Sequence, residues 1–197
     1  MKVSSPLVLA SSSPRRVQIM ESIGLHARVM ASDADESFDA SSPPADIVMK
    51  LAKLKVETVA RRISADGQTS IVIGADTIVV VDGYILGKPV DRLDALHMLN
   101  QLQGRQHEVY TGVTLVDAAT GRTLSNYRMT KVWMKGCESE ALRRYVDTGE
   151  PMDKAGAYAI QGLGAKLVES IEGCFYNVVG MPVSLLCDML TEFGIEV

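Results

Sequence analysis

Aromatic residues are scarce in this 197-residue sequence: one Trp, six Tyr and three Phe amount to 5%. Proteins that hold single-stranded nucleic acid stack bases on aromatic platforms along a basic groove. A net charge of -4 supplies no such groove and also argues against a general DNA- or RNA-binding surface. Cysteine is equally sparse. Cys137, Cys174 and Cys187 are odd in number and lack a CxxC spacing, which predicts reduced thiols in a cytoplasmic protein. His26, His97 and His107 form neither HxxxH nor HExxH, so a zinc site is not expected. No apolar run approaches the roughly 20 residues of a membrane-spanning helix. The brief PLVLA run at residues 6–10 is too short for a secretory core. GxSxG and Walker A loops are missing, and Gly162-Leu163-Gly164 lacks the third glycine of a dinucleotide loop. With no repeat and no low-complexity linker, residues 1–197 are expected to form one domain.

What is present begins with Ser70 to Lys88, SIVIGADTIVVVDGYILGK. Apolar residues fill both alternating sets of positions, which predicts a strand covered on both faces in the middle of a sheet. Asp76 interrupts that run. A buried carboxylate costs several kcal/mol unless it has a partner or a task. Two readings follow: Asp76 caps a local turn beside Gly74, or it opens on a cleft to hold a metal or accept a proton.

Around this strand the chain reads as alternating strands and helices. A first strand at Leu7 to Ala10 leads through Ser11, Ser12 and Ser13 to a helix starting at Pro14 and stopping at Gly24. A serine-rich turn at a helix N-terminus suits an anion. Arg15 and Arg16 are then either solvated surface residues or phosphate ligands. His26 to Ala31 is a second strand, followed by acidic residues Asp33, Asp35, Glu36 and Asp39. Those are either ordinary solvated surface or the source of a carboxylate for a divalent cation. A long helix over Ala45 to Ile63 carries Lys55 in the centre of its apolar stripe. That lysine either snorkels to an edge or serves a phosphate.

Asp82-Gly83 marks a hairpin turn, with Tyr84 to Leu86 returning and Lys88 after it. Asp91 to Leu102 is predicted helical with Leu93, Leu96, Leu99 and Leu102 inward, and Gly104 ends it. Two long strands, His107 to Val116 and Leu124 to Met134, flank a hairpin. Ser139 to Thr148 is helical. The stretch Asp153 to Gly162 is glycine-rich, and within it Lys154 is a further cation. Gln161 either reads a base edge or braces the loop. Lys166 to Ile171 and Tyr176 to Val179 read as strands, and Pro182 to Phe193 as a closing helix. Five cations with Asp76 and an acidic loop describe a site for a polyphosphate and its metal, with water attacking a phosphoanhydride directly.

The runs LASSSPRR at 9–16, GADT at 74–77, GKP at 87–89, YTGV at 110–113 and DKAGAY at 153–158 resemble the Maf family of nucleoside triphosphate pyrophosphatases, in order over nearly the whole chain. The resemblance implies an α/β fold with an elongated, mixed, twisted sheet, flanking helices and two lobes around a cleft, similar to inosine triphosphate pyrophosphatases. It implies hydrolysis between the α- and β-phosphates to a monophosphate and pyrophosphate, with Mg²⁺ or Mn²⁺. Asp76 matches the catalytic carboxylate, close to the metal. Arg15, Arg16, Lys55 and Lys88 match phosphate-binding cations, and Ser11 matches the loop serine. Arg15, Thr77 and Gln161 match positions that set base choice. Asp35 stands where many members have Glu, one methylene longer, and is carried over as a metal ligand. Arg15 after Ser13-Pro14, with DKAGAY and Gln161, is similar to the dTTP/UTP branch, although Ala159 replaces a common Gly. The branch acting on methylated guanosine triphosphate typically has Trp after the Ser-Pro pair. The resemblance implies a nucleotide substrate and a homodimer, while the composition argues against a membrane or polynucleotide partner. A non-catalytic nucleotide-binding regulator of septum formation is the contrasting class.

Overall fold

The computed structural model describes residues 6–196. Its strands are β1 Leu7–Leu9, β2 Ala27–Val29, β3 Ile71–Val81, β4 Tyr84–Leu86, β5 Gln106–Asp117, β6 Thr123–Met134 and β7 Val168–Glu172. Its α-helices are α1 Pro14–Ser22, α2 Pro44–Ala65, α3 Arg92–Leu102, α4 Ser139–Asp147, α5 Phe175–Val179 and α6 Val183–Glu192. Short 3-10 turns occupy Glu150–Asp153, Ala155–Ala157 and Gly162–Leu167. The seven strands make an open mixed sheet in the order β2-β1-β3-β5-β6-β7, with β4 on β3. β1 runs parallel to both β2 and β3, whereas β4 and β7 pair antiparallel with their neighbours. The α/β class and the interior position of β3 are as the sequence predicts.

The chain divides into two compact units. The first comprises residues 6–76, Thr111–Arg128 and 180–196; the second comprises Thr77–Tyr110 and Met129–Val179. β3, β5 and β6 each give one end to either unit. In the first unit Val8, Val56, Val59, Ile63, Val72 and Val116 share one core. Each such side chain stabilises the fold by about 1.5–3 kcal/mol on burial. Two glycines let α2 lie close on the strands. A Cβ on Gly112 would stand 2.5 Å from the Val48 carbonyl carbon and oxygen. One on Gly74 would stand 2.4 Å from the Val56 side chain and 3.2 Å from the Ala52 carbonyl oxygen. Gly74 is therefore a place of close approach rather than a bend.

In the second unit Val79, Leu99, Leu102, Val109, Leu142 and Tyr145 belong to a separate core. The hairpin turn has both residues at positive φ, Asp82 at 51° and Gly83 at 79°, which matches the right-handed twist of the strands it joins. Two expectations are corrected here. Leu93 does not face inward: it is 78% exposed, and the buried face of α3 is Ala95, Met98, Leu99 and Leu102. The buried face begins two residues later, at Ala95, because a spacing of three drifts by about 60° per step at about 3.6 residues per turn and leaves Leu93 about 180° round the helix from Leu102. Residues 176–179 are not a strand but part of α5. The Cys174 carbonyl accepts from the N–H groups of Asn177 and Val178, and buried Asn177 donates to the Val109 carbonyl and the Thr130 hydroxyl. Those tertiary bonds override the strand propensity of Tyr and Val.

Candidate active site

Asp76 ends the first unit's share of β3, among positions buried on both faces. It is 8% exposed and lies within a strand, not in a turn. Lys55 comes from the apolar face of α2, one residue before Val56, which packs on Gly74. The close approach of α2 thus delivers an ammonium to the only carboxylate within β3. Lys55 Nζ donates to Asp76 Oδ1 at 2.5 Å and stands 3.1 Å from Glu36 Oε2. Lys55 does not snorkel away: its side chain is 11% exposed, equal to that of Asp76. Such a pair persists because each partner offsets the other's desolvation. Asp76 Oδ2 makes no hydrogen bond among the described residues.

Glu36 reaches Lys55 because the acidic loop before α2 is anchored at its start. Arg62 donates to the Asp33 carboxylate and to the Ala31 carbonyl. Asp35 turns the other way, its carboxylate accepting from the Ser37 N–H at 3.0 Å and the Ser37 hydroxyl at 3.1 Å. Asp39 makes a similar local turn with Ser41, which holds its carboxyl below the usual range.

The same unit carries the serine turn and α1. Ser11 Oγ accepts from the Ser13 N–H at 3.2 Å and from Arg16 Nη1 at 3.1 Å. Arg16 Nε donates to the Gly180 carbonyl at 2.8 Å. Burial lowers the pKa of the Arg16 guanidinium, Asp76 and Glu36 oppose that shift, and neighbouring Arg15 reinforces it. Arg16, Asp76 and Glu36 therefore feel one another's charge, and Arg16 stays cationic. The side chain of Ser13, the N-cap residue of α1, makes no capping bond.

The remaining sequence-predicted residues belong to the second unit. Thr77 is the one position of β3 that is not fully buried. Lys88 is exposed, next to Gly87, whose carbonyl accepts from the Gly156 N–H at 3.0 Å. Lys154 is folded back: Nζ donates to the Glu150 carbonyl at 2.7 Å and to Asp153 Oδ1 at 2.6 Å. Gln161 is exposed. Sequence reasoning named Glu36 only as one of several acidic residues, and it missed the Gly180 carbonyl and Glu150. A run of acids carries no direction, and no spacing rule links Arg16 to a carbonyl 164 residues away.

Against this geometry, a family model described as "Maf-like protein" matches residues 6–193. The chain belongs to the Maf-like protein family. Among curated relatives, proteins named dTTP/UTP pyrophosphatase are 46% identical in Desulforamulus reducens, over 98% of both chains. They are 47% identical in Pelotomaculum thermopropionicum, over 97% of this chain and 98% of that one, and 48% identical in Thermoanaerobacter pseudethanolicus, over 96% and 98%. A solved nucleoside-triphosphatase, a dITP/XTP pyrophosphatase from Mycobacterium abscessus, overlaps with a TM-score of 0.39 at 15% identity, over 66% of this chain and 72% of that chain. That overlap is too slight to bear on function. Among the described residues no helix is long and apolar enough to cross a membrane.

Proposed function

We propose that this Maf-like chain is a nucleoside triphosphate pyrophosphatase acting on dTTP and UTP, and on modified pyrimidine nucleotides of the same shape. It releases the monophosphate and pyrophosphate. The observation that carries this reading is the Asp76–Lys55 pair, a buried carboxylate held by one oxygen within a unit that also holds Arg16, Glu36 and Ser11. Relatives named dTTP/UTP pyrophosphatase over nearly full length support the substrate class.

Arg16 and Arg15 bind phosphate oxygens, with Ser11 fixing the angle of the Arg16 fork. Lys55 holds Asp76 Oδ1, which leaves Oδ2 to accept the proton of an attacking water. The water oxygen bonds to the α-phosphorus, the bond from that phosphorus to the bridging oxygen breaks, and the electron pair leaves with pyrophosphate. In the second unit, Lys88 and Lys154 are assigned to phosphate, and Thr77 and Gln161 to the base. Lys154 must first leave its bonds to Glu150 and Asp153.

Two carboxylates, Asp76 and Glu36, converge on one cationic point, the Lys55 ammonium. Hard divalent ions take the same oxygen ligands, and Mg²⁺ needs only one or two of them beside substrate phosphates. The residues present therefore fit Mg²⁺ or Mn²⁺, with Asp76 and Glu36 as its holders. Asp35, the other candidate, is engaged with Ser37. When bound, such an ion neutralises phosphate charge and acidifies water. We further assign the chain to the cytoplasm as a homodimer of single-domain protomers.

A panel of UTP, dTTP, methylated GTP, dITP and ATP with pyrophosphate detection tests the assignment. UTP and dTTP should have the highest kcat/KM, and turnover should need Mg²⁺ or Mn²⁺. Tight binding with no pyrophosphate from any nucleotide would instead mark a regulator without turnover.

A further inference from the structure

The second unit contains a polar clamp for which the proposed chemistry has no use. Tyr145 projects from α4 and Glu150 follows three residues past its end. Glu150 Oε1 accepts from the Tyr145 hydroxyl at 3.0 Å and the Gly164 N–H at 2.9 Å, and Oε2 accepts from the Leu163 N–H at 3.0 Å. The Tyr145 oxygen in turn accepts from the Ala159 N–H at 3.2 Å. One carboxylate and one phenol thus tie three backbone N–H groups on either side of Gln161. The chain arches outward between them, and Gln161, Gly162 and Leu163 are exposed.

The arch fits tightly against its clamp. A Cβ on Gly164 would stand 2.5 Å from the Ala159 carbonyl oxygen and 2.6 Å from the Tyr145 hydroxyl. Gly162 has φ +66°, and a Cβ there would stand 2.7 Å from Glu150 Oε2. Burial alone would raise the Glu150 pKa, but the N–H groups of Leu163 and Gly164, the Tyr145 hydroxyl and the Lys154 charge outweigh it and lower it. Burial pushes the Tyr145 hydroxyl up, and the Glu150 charge adds to that. The clamp therefore works as phenol and carboxylate at neutral pH. At the crest, the Gln161 amide makes no hydrogen bond among the described residues. An exposed arch normally samples many conformations, and fixing one is useful where a donor and acceptor must meet a ligand in register.

We propose that Glu150, assisted by Tyr145, is a positioning residue that holds the 159–164 arch so that the Gln161 amide is preset for the hydrogen-bonding edge of a pyrimidine base. This rests on the reading that the protein hydrolyses UTP and dTTP and that Gln161 meets the base. Glu150 touches no substrate and acts only through Gln161.

The test is a double-mutant cycle of wild type, E150Q, Q161A and the double variant, read by pyrophosphate release from UTP, dTTP and GTP. Q161A should raise KM for UTP about tenfold, with kcat within about threefold, and E150Q should reproduce most of that shift. In the Q161A background, E150Q should add less than about twofold. The preference for UTP over GTP should fall together in all three variants. Equal losses in both backgrounds, or unchanged UTP kinetics in E150Q, would overturn the proposal and leave Glu150 a structural brace. Y145F, which deletes one hydroxyl, keeps the cycle readable by the same criterion should E150Q unfold. A wild-type protein that releases no pyrophosphate from any nucleotide would overturn the functional reading and this inference together. Wild-type turnover with an additive cycle would overturn the inference alone.

Discussion

The two units treat buried polarity in opposite ways. The first unit keeps charge: Lys55 and Asp76 are 9% and 8% exposed and face each other, with Glu36 and Arg16 close enough to share their fields. The second unit uses polar side chains to hold the backbone or one another. Its buried histidine, His107, is 2% exposed and pairs with the Tyr158 hydroxyl at 2.7 Å. Burial pushes the His107 pKa down to about 4, so it is neutral where the enzyme would work. Charge confined beside a strand supplies electrostatic work on a ligand. Neutral polar pairs and backbone clamps supply shape. The contrast separates residues whose loss removes chemistry from those whose loss loosens the frame.

The largest effect should come from breaking the first unit's charge pair. Asp76→Asn keeps the shape but removes the proton acceptor, and kcat for UTP should fall about a thousandfold. The Lys55 ammonium keeps Glu36 as a partner, so circular dichroism should still report a folded chain. Retention of wild-type turnover would mean that the pair is only structural.

Next in size is the packing that delivers Lys55. Gly112→Ala puts a methyl against the Val48 backbone, which cannot turn aside as a side chain can, and urea unfolding should show a loss of about 3 kcal/mol. Gly74→Ala meets chiefly the Val56 side chain and should cost less. Equal costs at the two positions would show that α2 does not ride rigidly on β5.

The second unit should reveal itself through pH. Unfolded His107 titrates near its ordinary 6.5, and the folded residue near 4. Between those values the unfolded chain binds more protons, so this contribution is fully present above pH 6.5 and is lost as pH falls toward 4. About 2 kcal/mol should be gone by pH 5. His107→Gln should flatten that limb of the urea stability curve, and hydrogen exchange should place the early loss in Val109 and its neighbours. An unchanged curve in the variant would show that another group governs acid sensitivity.

These differences also show what the sequence could and could not reveal. The β3 run was legible because burial on both faces leaves no polar alternation, and Asp76 stood out against it. Lys55 was legible as an anomaly on an apolar stripe, but its partner was a matter of register between α2 and β3. Glycines at 74 and 112 set that register by admitting the helix, and a lone glycine in a strand does not announce which neighbour comes close. Leu93 misled because a spacing of three drifts off the face that about 3.6 residues per turn keeps, and residues 176–179 misled because propensity is local, whereas bonds from Asn177 to Val109 and Thr130 are not. The Glu150 clamp was illegible for the same reason: a single glutamate after a helix gives no hint of amides thirteen and fourteen residues on.

The smallest expected effect compares two helix starts. In the second unit, α3 is closed by its own cap, since Asp91 Oδ1 accepts from the Asp94 N–H at 2.8 Å. In the first unit, Ser13 occupies the cap position of α1, yet its side chain makes no such bond. Asp91→Ala should therefore cost about 1 kcal/mol in urea unfolding without altering UTP turnover. Ser13→Ala should leave stability unchanged to within about 0.3 kcal/mol, because no capping bond is lost. If Ser13→Ala nevertheless raised KM for UTP severalfold, the hydroxyl would serve the ligand rather than the helix. Chemistry would then begin at the first turn of α1, while the matching turn of α3 serves only the fold.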